Sequence, residues 1–156
     1  MADTKPDHPG VITHPPFLYA GFAIAGVIIN MFVGVELFAE PAQFWAGGGL
    51  IVVGAILLYG GVTQFRRAGT NVPTHKPTMA IVTTGLYGLT RNPLYLGLST
   101  IYVGIGIAID NVFLLVFLAP LLLVMRYGVI GREEAYLERK FGEEYRAYCT
   151  RVRRWL

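Results

Sequence analysis

"TRNPLYLGLSTIYVGIGIAIDNVFLLVFLAPLLLVM", residues 90–125, contains two apolar runs separated only by Asp110-Asn111. The first is Leu94 to Ile109, and the second, from Val112 to Met125, continues through Arg126 to Ile130. Crossing the hydrocarbon core takes about 20 mostly apolar residues. The pair therefore reads as a helical hairpin that seeks a membrane, with Asp110 capping its tight turn. Upstream, Phe17 to Ala39 is long enough to span despite Asn30 and Glu36, and Phe44 to Phe65 is long enough without a formal charge. The chain is 54% hydrophobic and 15% charged, with a mean hydropathy of +0.51. Soluble domains carry about a quarter charged residues. The expectation is an all-α membrane protein of one domain. It has four transmembrane helices and a C-terminal amphipathic cytoplasmic helical segment.

Charge placement orients the chain. Of 13 Lys and Arg residues, all but Lys5 lie in 66–91 or 126–156. The connections at 40–43 and 110–111 hold Glu40 and Asp110 and no basic residue. Excess Lys and Arg marks the cytoplasmic side. Both termini and the 66–93 loop are therefore expected in the cytoplasm, with the protein integral to a bacterial inner membrane. The first ten residues lack a basic-then-apolar signal peptide, so the first span is expected to be retained.

The segments divide as two N-terminal spans (1–65), a polar loop (66–93), the hairpin (94–131) and C-terminal helices (132–156). Gly21, Gly26, Gly47, Gly48, Gly49, Gly54, Gly60 and Gly61 in the first two spans allow close helix approach, and such faces could also support a homodimer. Pro120 is expected to kink the fourth span. The long loop holds a short apolar patch, Met79 to Val82, which suits an ordered loop that docks. In the tail, Leu137, Phe141, Tyr145, Tyr148, Val152 and Trp155 recur at helical spacing, with Gly142 placed to split the helix. Glutamates precede arginines along it, as the helix dipole favours. A basic amphipathic helix of this kind lies at a membrane interface.

Several classes are excluded or disfavoured. One cysteine, Cys149, permits no intrachain disulfide. His8, His14 and His75 show no metal-ligand spacing, and no phosphate-loop, HExxH or nucleic-acid motif is present. Neither metal nor nucleic acid is expected as a partner.

Polar residues bracket the hairpin: Gly85-Leu86-Tyr87 and Arg91-Asn92-Pro93-Leu94-Tyr95 before it, Arg132-Glu133-Glu134 after it. Antiparallel spans return their far ends to one level, so Arg91 and Glu134 should meet at the membrane surface. Proline at 93 can begin a helix, leaving backbone N–H groups free beside it. An Arg, two carboxylates and free N–H groups suit a small zwitterion. They equally suit an interfacial ion pair that anchors helix ends.

Ile81-Val82-Thr83-Thr84-Gly85-Leu86-Tyr87, then Arg91-Asn92-Pro93-Leu94-Tyr95-Leu96-Gly97, then Glu133-Glu134, Phe141-Gly142, Tyr145 and Tyr148 resemble the isoprenylcysteine carboxyl methyltransferases and their phospholipid N-methyltransferase relatives. The resemblance covers roughly residues 66–156. It implies an integral-membrane methyltransferase that uses S-adenosylmethionine, releases S-adenosylhomocysteine and takes a lipid-like acceptor from the bilayer. It implies that Gly85, Tyr87, Arg91, Asn92 and Pro93 hold the cofactor, that Tyr95 and Gly97 line it, and that Glu133 and Glu134 bind its cationic end. Arg91, Asn92 and Glu134 are the catalytic candidates.

Three positions depart from the family. Its frequent His is Asn92 here, which can hydrogen-bond but cannot serve as a base at neutral pH. The eukaryotic carboxyl methyltransferases carry a His where Met79 stands and an Arg where Val129 stands. Arg126, one turn before Val129, is a fourth catalytic candidate as a substrate-contacting cation. Alternatively it snorkels to the interface, since an Arg at mid-membrane costs roughly 2.5–3.5 kcal/mol. A non-catalytic scaffold and a nicotinamide-dependent reductase are the other readings.

Overall fold

In a computed structural model, residues 7–37, 40–71 and 77–156 are described. Lys5, Phe38, Ala39 and His75 lie outside them. The described residues form α1 (Pro15–Val33), α2 (Ala42–Arg67), a 3-10 turn (Gly85–Gly88) and α3 (Pro93–Ala108). After these come α4 (Val112–Val124), a π-helical turn (Met125–Ile130), α5 (Gly131–Phe141) and α6 (Glu143–Arg151). No strand forms among them. Among the described residues, three helices are long and apolar enough to cross a membrane: α1, α2 and the continuous run Val112–Phe141. α3, of 16 residues, is a shorter apolar helix.

Each boundary has a local cause. α1 stops at Gly34, whose φ of 66° is left-handed and whose N–H returns to Asn30 O at 2.8 Å. This ends the first helix before Glu36, which the hydropathy reading had kept inside it. At the hairpin turn the cap of α4 is Asn111. Its Oδ1 accepts from Phe113 N at 3.1 Å and Leu114 N at 3.2 Å. The expected cap, Asp110, instead accepts Leu37 N at 3.0 and 3.1 Å and ties the α1 exit to the hairpin.

The helices pack through glycine. Gly47 and Gly54 of α2 lie against Gly104 and Gly97 of α3. A Cβ on Gly97 would stand 2.9 Å from Gly54 O, and one on Gly104 2.8 Å from Gly47 O. The repeat of seven on both helices keeps one small-residue seam in register along the antiparallel pair. Gly26 of α1 accommodates Leu114 of α4 in the same way. Gly21, Gly48 and Gly49 have open space beside them.

Tyr19, Tyr95, Tyr102, Leu114, Leu121, Met125, Val129 and Ile130 form the buried core between α1, α3 and α4. Phe17, Met31, Phe32, Trp45, Val52, Ile56, Val116 and Leu123 remain exposed on the outer faces. So much exposed apolar surface requires an apolar surrounding, and the protein is integral to a membrane.

The tail stripe turns inward. Tyr145, Tyr148 and Val152 are buried together with Leu137, Phe141 and Ile81 of the long loop. Helix ends at Arg151, and Val152 is already extended. Trp155 packs on the main core instead.

Candidate active site

α3 begins at Pro93, and α5 carries Glu133 and Glu134 three and four residues after the π turn. An i→i+5 turn of this kind often marks a functional position in a helix. Between them lies a cavity of about 120 Å³ that opens to the surface.

Tyr87, Arg91, Asn92, Pro93 and Tyr95 line one side of the cavity and Glu133 and Glu134 the other. Arg91 and Glu134, 43 residues apart in sequence, meet with Nη1 3.2 Å from Oε1. Three expected residues do not line it. Gly97 is committed to the α2 seam. Gly85, at φ 59°, sits over the Gln64 side chain, where a Cβ would collide. Arg126 is exposed, with its guanidinium 5.6 Å from the Tyr127 ring.

The two glutamates have different partners. Glu133 is half-buried and accepts a 2.6 Å hydrogen bond from the Tyr95 hydroxyl. It has no ion pair among the described residues. Glu134 has two cations, because Arg154 donates Nε to Oε1 at 2.9 Å and Nη2 to Oε2 at 2.7 Å. This bidentate fork holds the Arg154 guanidinium above its ordinary pKa.

Arg154 was not among the residues expected from the sequence. The segment after α6 returns along the Arg91-Asn92-Pro93 turn. Arg91 N donates to Arg153 O at 2.9 Å, and Thr90 Oγ1 and Asn92 Nδ2 donate to Arg154 O at 3.1 and 2.9 Å. The Asn92 side chain thus fixes the turn rather than capping α3. "RVRRWL" reads as the basic end of a helix, whereas the backbone is already extended at Val152.

Tyrosines support the floor. The Tyr148 hydroxyl donates to Tyr87 O at 2.7 Å, and burial pushes its pKa up to about 12. Burial also raises Tyr87 and Tyr145, with Tyr148 adding to the first and the Cys149 thiol to the second. All three stay neutral hydrogen-bonding groups. Two buried polar atoms on the cavity residues lack a partner among the described residues: the Tyr87 hydroxyl and Arg91 Nε. Such atoms are costly unless something else satisfies them.

The N-terminal segment and the long loop both reach the cavity. The Tyr136 hydroxyl donates to Asp7 Oδ1 at 2.8 Å and accepts from Thr78 N at 3.1 Å. It joins the N-terminal segment to the long loop. Pro9 lines the cavity, and Arg132 Nη1 donates to Gly10 O at 2.7 Å. Of the apolar loop patch, Ile81 and Val82 pack inward and Met79 stays exposed.

The chain is similar to an uncharacterized protein of Haemophilus influenzae. Identity is 41% over 63 residues, which is 40% of this chain and all of that protein. No solved structure matches. The model of the phospholipid methyltransferase family matches residues 42–144, from the start of α2 through both glutamates into α6. The chain therefore belongs to the phospholipid methyltransferase family of integral-membrane methyltransferases.

Proposed function

We propose that this protein transfers the methyl group of S-adenosylmethionine to a lipophilic acceptor resident in the membrane, in the manner of the isoprenylcysteine carboxyl methyltransferases and their phospholipid relatives. The observation that carries this reading is Glu133: a carboxylate in the cavity wall, fixed by Tyr95 and left without a cation.

S-Adenosylmethionine, when bound, supplies an activated methyl on a sulfonium, together with an ammonium, a carboxylate and an adenosine. The residues fit such a molecule. Glu133 offers negative charge to its cationic end. Arg91 Nε has a free donor for its carboxylate, and the Tyr87 hydroxyl has no partner to lose. Phe65 and Tyr87, with ring centroids 4.8 Å apart, give an aromatic wall. Methyl transfer from a sulfonium is an in-line displacement, so alignment and exclusion of water are the protein's main tasks. Pro93, Ile130 and Leu137 provide the apolar lining for both.

One observation favours a phospholipid amine over a carboxyl acceptor. Arg91 is the single cation among the described residues lining the cavity, and it is paired with Glu134. A carboxylate acceptor would find no cation of its own, whereas Glu133 presents a carboxylate without an ion pair to an amine. The clustering of Arg66, Arg67, Arg132 and Arg154 at the cavity end supports a cytoplasmic site and cytoplasmic termini, with α3 as a fourth crossing.

The test is calorimetric titration of S-adenosylmethionine and S-adenosylhomocysteine into detergent-purified protein, wild type beside Glu133→Gln. Micromolar binding, weakened at least about tenfold in the variant, supports the reading. Folded wild type that binds neither ligand sinks it in favour of a non-catalytic scaffold. Labelled-methyl transfer to phosphatidylethanolamine vesicles or to a prenylated cysteine peptide then separates the acceptors.

A further inference from the structure

Glu133 and Glu134 are adjacent in sequence and line the same cavity. If both faced it as free carboxylates, their negative charges would outnumber the one lining cation, Arg91. The structure distinguishes them through a residue the family match does not reach. Arg154 lies beyond residue 144, where that match ends. Its fork closes on both oxygens of Glu134 at 2.9 and 2.7 Å. Its backbone is pinned first: its carbonyl accepts from Thr90 and Asn92, and the preceding carbonyl accepts from Arg91 N. Val152 and Trp155, on either side, sit in two different apolar clusters. The side chain is therefore held at a fixed reach.

We propose that Arg154 is a positioning residue that sets the charge of the site. Together with Arg91 it clasps Glu134 between two cations, which leaves Glu133 as the one cavity carboxylate without a cation to face a cationic ligand. This assignment rests on the methyl-donor reading above. A mere anchor for the tail would hold the fold together without affecting which ligand charge the cavity prefers.

The two nucleosides differ by the charge on sulfur, so the ratio of their dissociation constants reads the field in the cavity. We would measure that ratio by calorimetry in wild type, Arg154→Gln, Arg154→Lys and the double variant Glu134→Gln/Arg154→Gln, with thermal unfolding to check that each is folded. Losing Arg154 removes one of the two positive charges beside Glu134 and makes the site more negative by one unit. In Arg154→Gln the preference for the sulfonium over the thioether should rise about tenfold, the scale of one partly screened unit charge. It should return to within about twofold of wild type in the double variant and in Arg154→Lys, even where both affinities fall. Arg154→Met, which also removes the charge but keeps an unbranched side chain for packing, carries the same expected rise and keeps the test available if Arg154→Gln does not fold. An unchanged ratio in all folded variants overturns the assignment alone. Failure of folded wild type to bind either nucleoside overturns the functional reading and this assignment with it.

Discussion

The Tyr95 hydroxyl donates to Glu133 Oε1 at 2.6 Å, joining the first turn of α3 to the first turn of α5 across the cavity. Tyr95→Phe removes this bond and leaves a half-buried carboxylate without a donor. A hydrogen bond to a charged group contributes about 1.5–3 kcal/mol. Tyr95→Phe should therefore lower the melting temperature and weaken S-adenosylmethionine binding about tenfold, measured by calorimetry. Unchanged affinity would show that Glu133 needs no help from α3.

The α2–α3 seam gives a prediction for stability. A Cβ on Gly54 would meet Gly97 O at 2.7 Å and Ile101 N at 2.9 Å, both backbone atoms that cannot rotate away. Gly54→Ala should destabilise by about 1–3 kcal/mol, as overpacking does. Gly48→Ala, with open space around it, should change the melting temperature little. Equal behaviour of the two variants would argue against the seam.

The docking of the N-terminal segment should respond to acid. The hydrogen bond from the Lys140 ammonium, followed by that from Tyr136, holds the Asp7 carboxyl below its usual value of 3.8. A carboxyl with a depressed folded pKa contributes stability that is fully present above the unfolded value and lost as pH falls through the folded one. Residues 7–14 should thus stay docked at neutral pH and loosen below about pH 3.8, with Asp7→Asn loosening them at every pH. Hydrogen exchange of this segment is the measurement. Protection that is independent of pH, and unchanged in Asp7→Asn, would assign the docking to Ile12 and Arg132 instead.

The returning tail should matter as much as the helices. Removing residues 152–156 deletes the acceptors for Arg91 N, Thr90 Oγ1 and Asn92 Nδ2 and the fork on Glu134. The truncated protein should lose ligand binding at least as fully as Glu133→Gln does. Truncation that spares both melting temperature and affinity would refute the tail's role.

Hydropathy carried much of this architecture, because apolar length is a property of composition and survives without knowledge of contacts. The Arg91–Glu134 pairing was legible for the same reason: antiparallel helices joined by two residues must bring their far ends together. Gly97 was not legible, since a glycine beside a motif looks the same whether a ligand or a helix backbone approaches it. Neither was the cap of α4. Asp110 and Asn111 are both good caps, and the choice was made by Leu37, more than seventy residues earlier. Arg154 was hidden because arginines in a cationic tail look alike until the chain direction is known.

The unequal lengths of α2 and α3 set the depth of the site. At 1.5 Å per residue, α2 rises about 39 Å and α3 about 24 Å, against about 30 Å of hydrocarbon. Gly61 meets Leu94, so α3 starts nearly two turns below the end of α2 at Arg67. The cavity over Pro93 is accordingly sunk below the rim that α2 defines. On the proposed reading, a lipid headgroup in the plane of the leaflet would meet the cavity at its own level, and its acyl chains would not need to leave the bilayer.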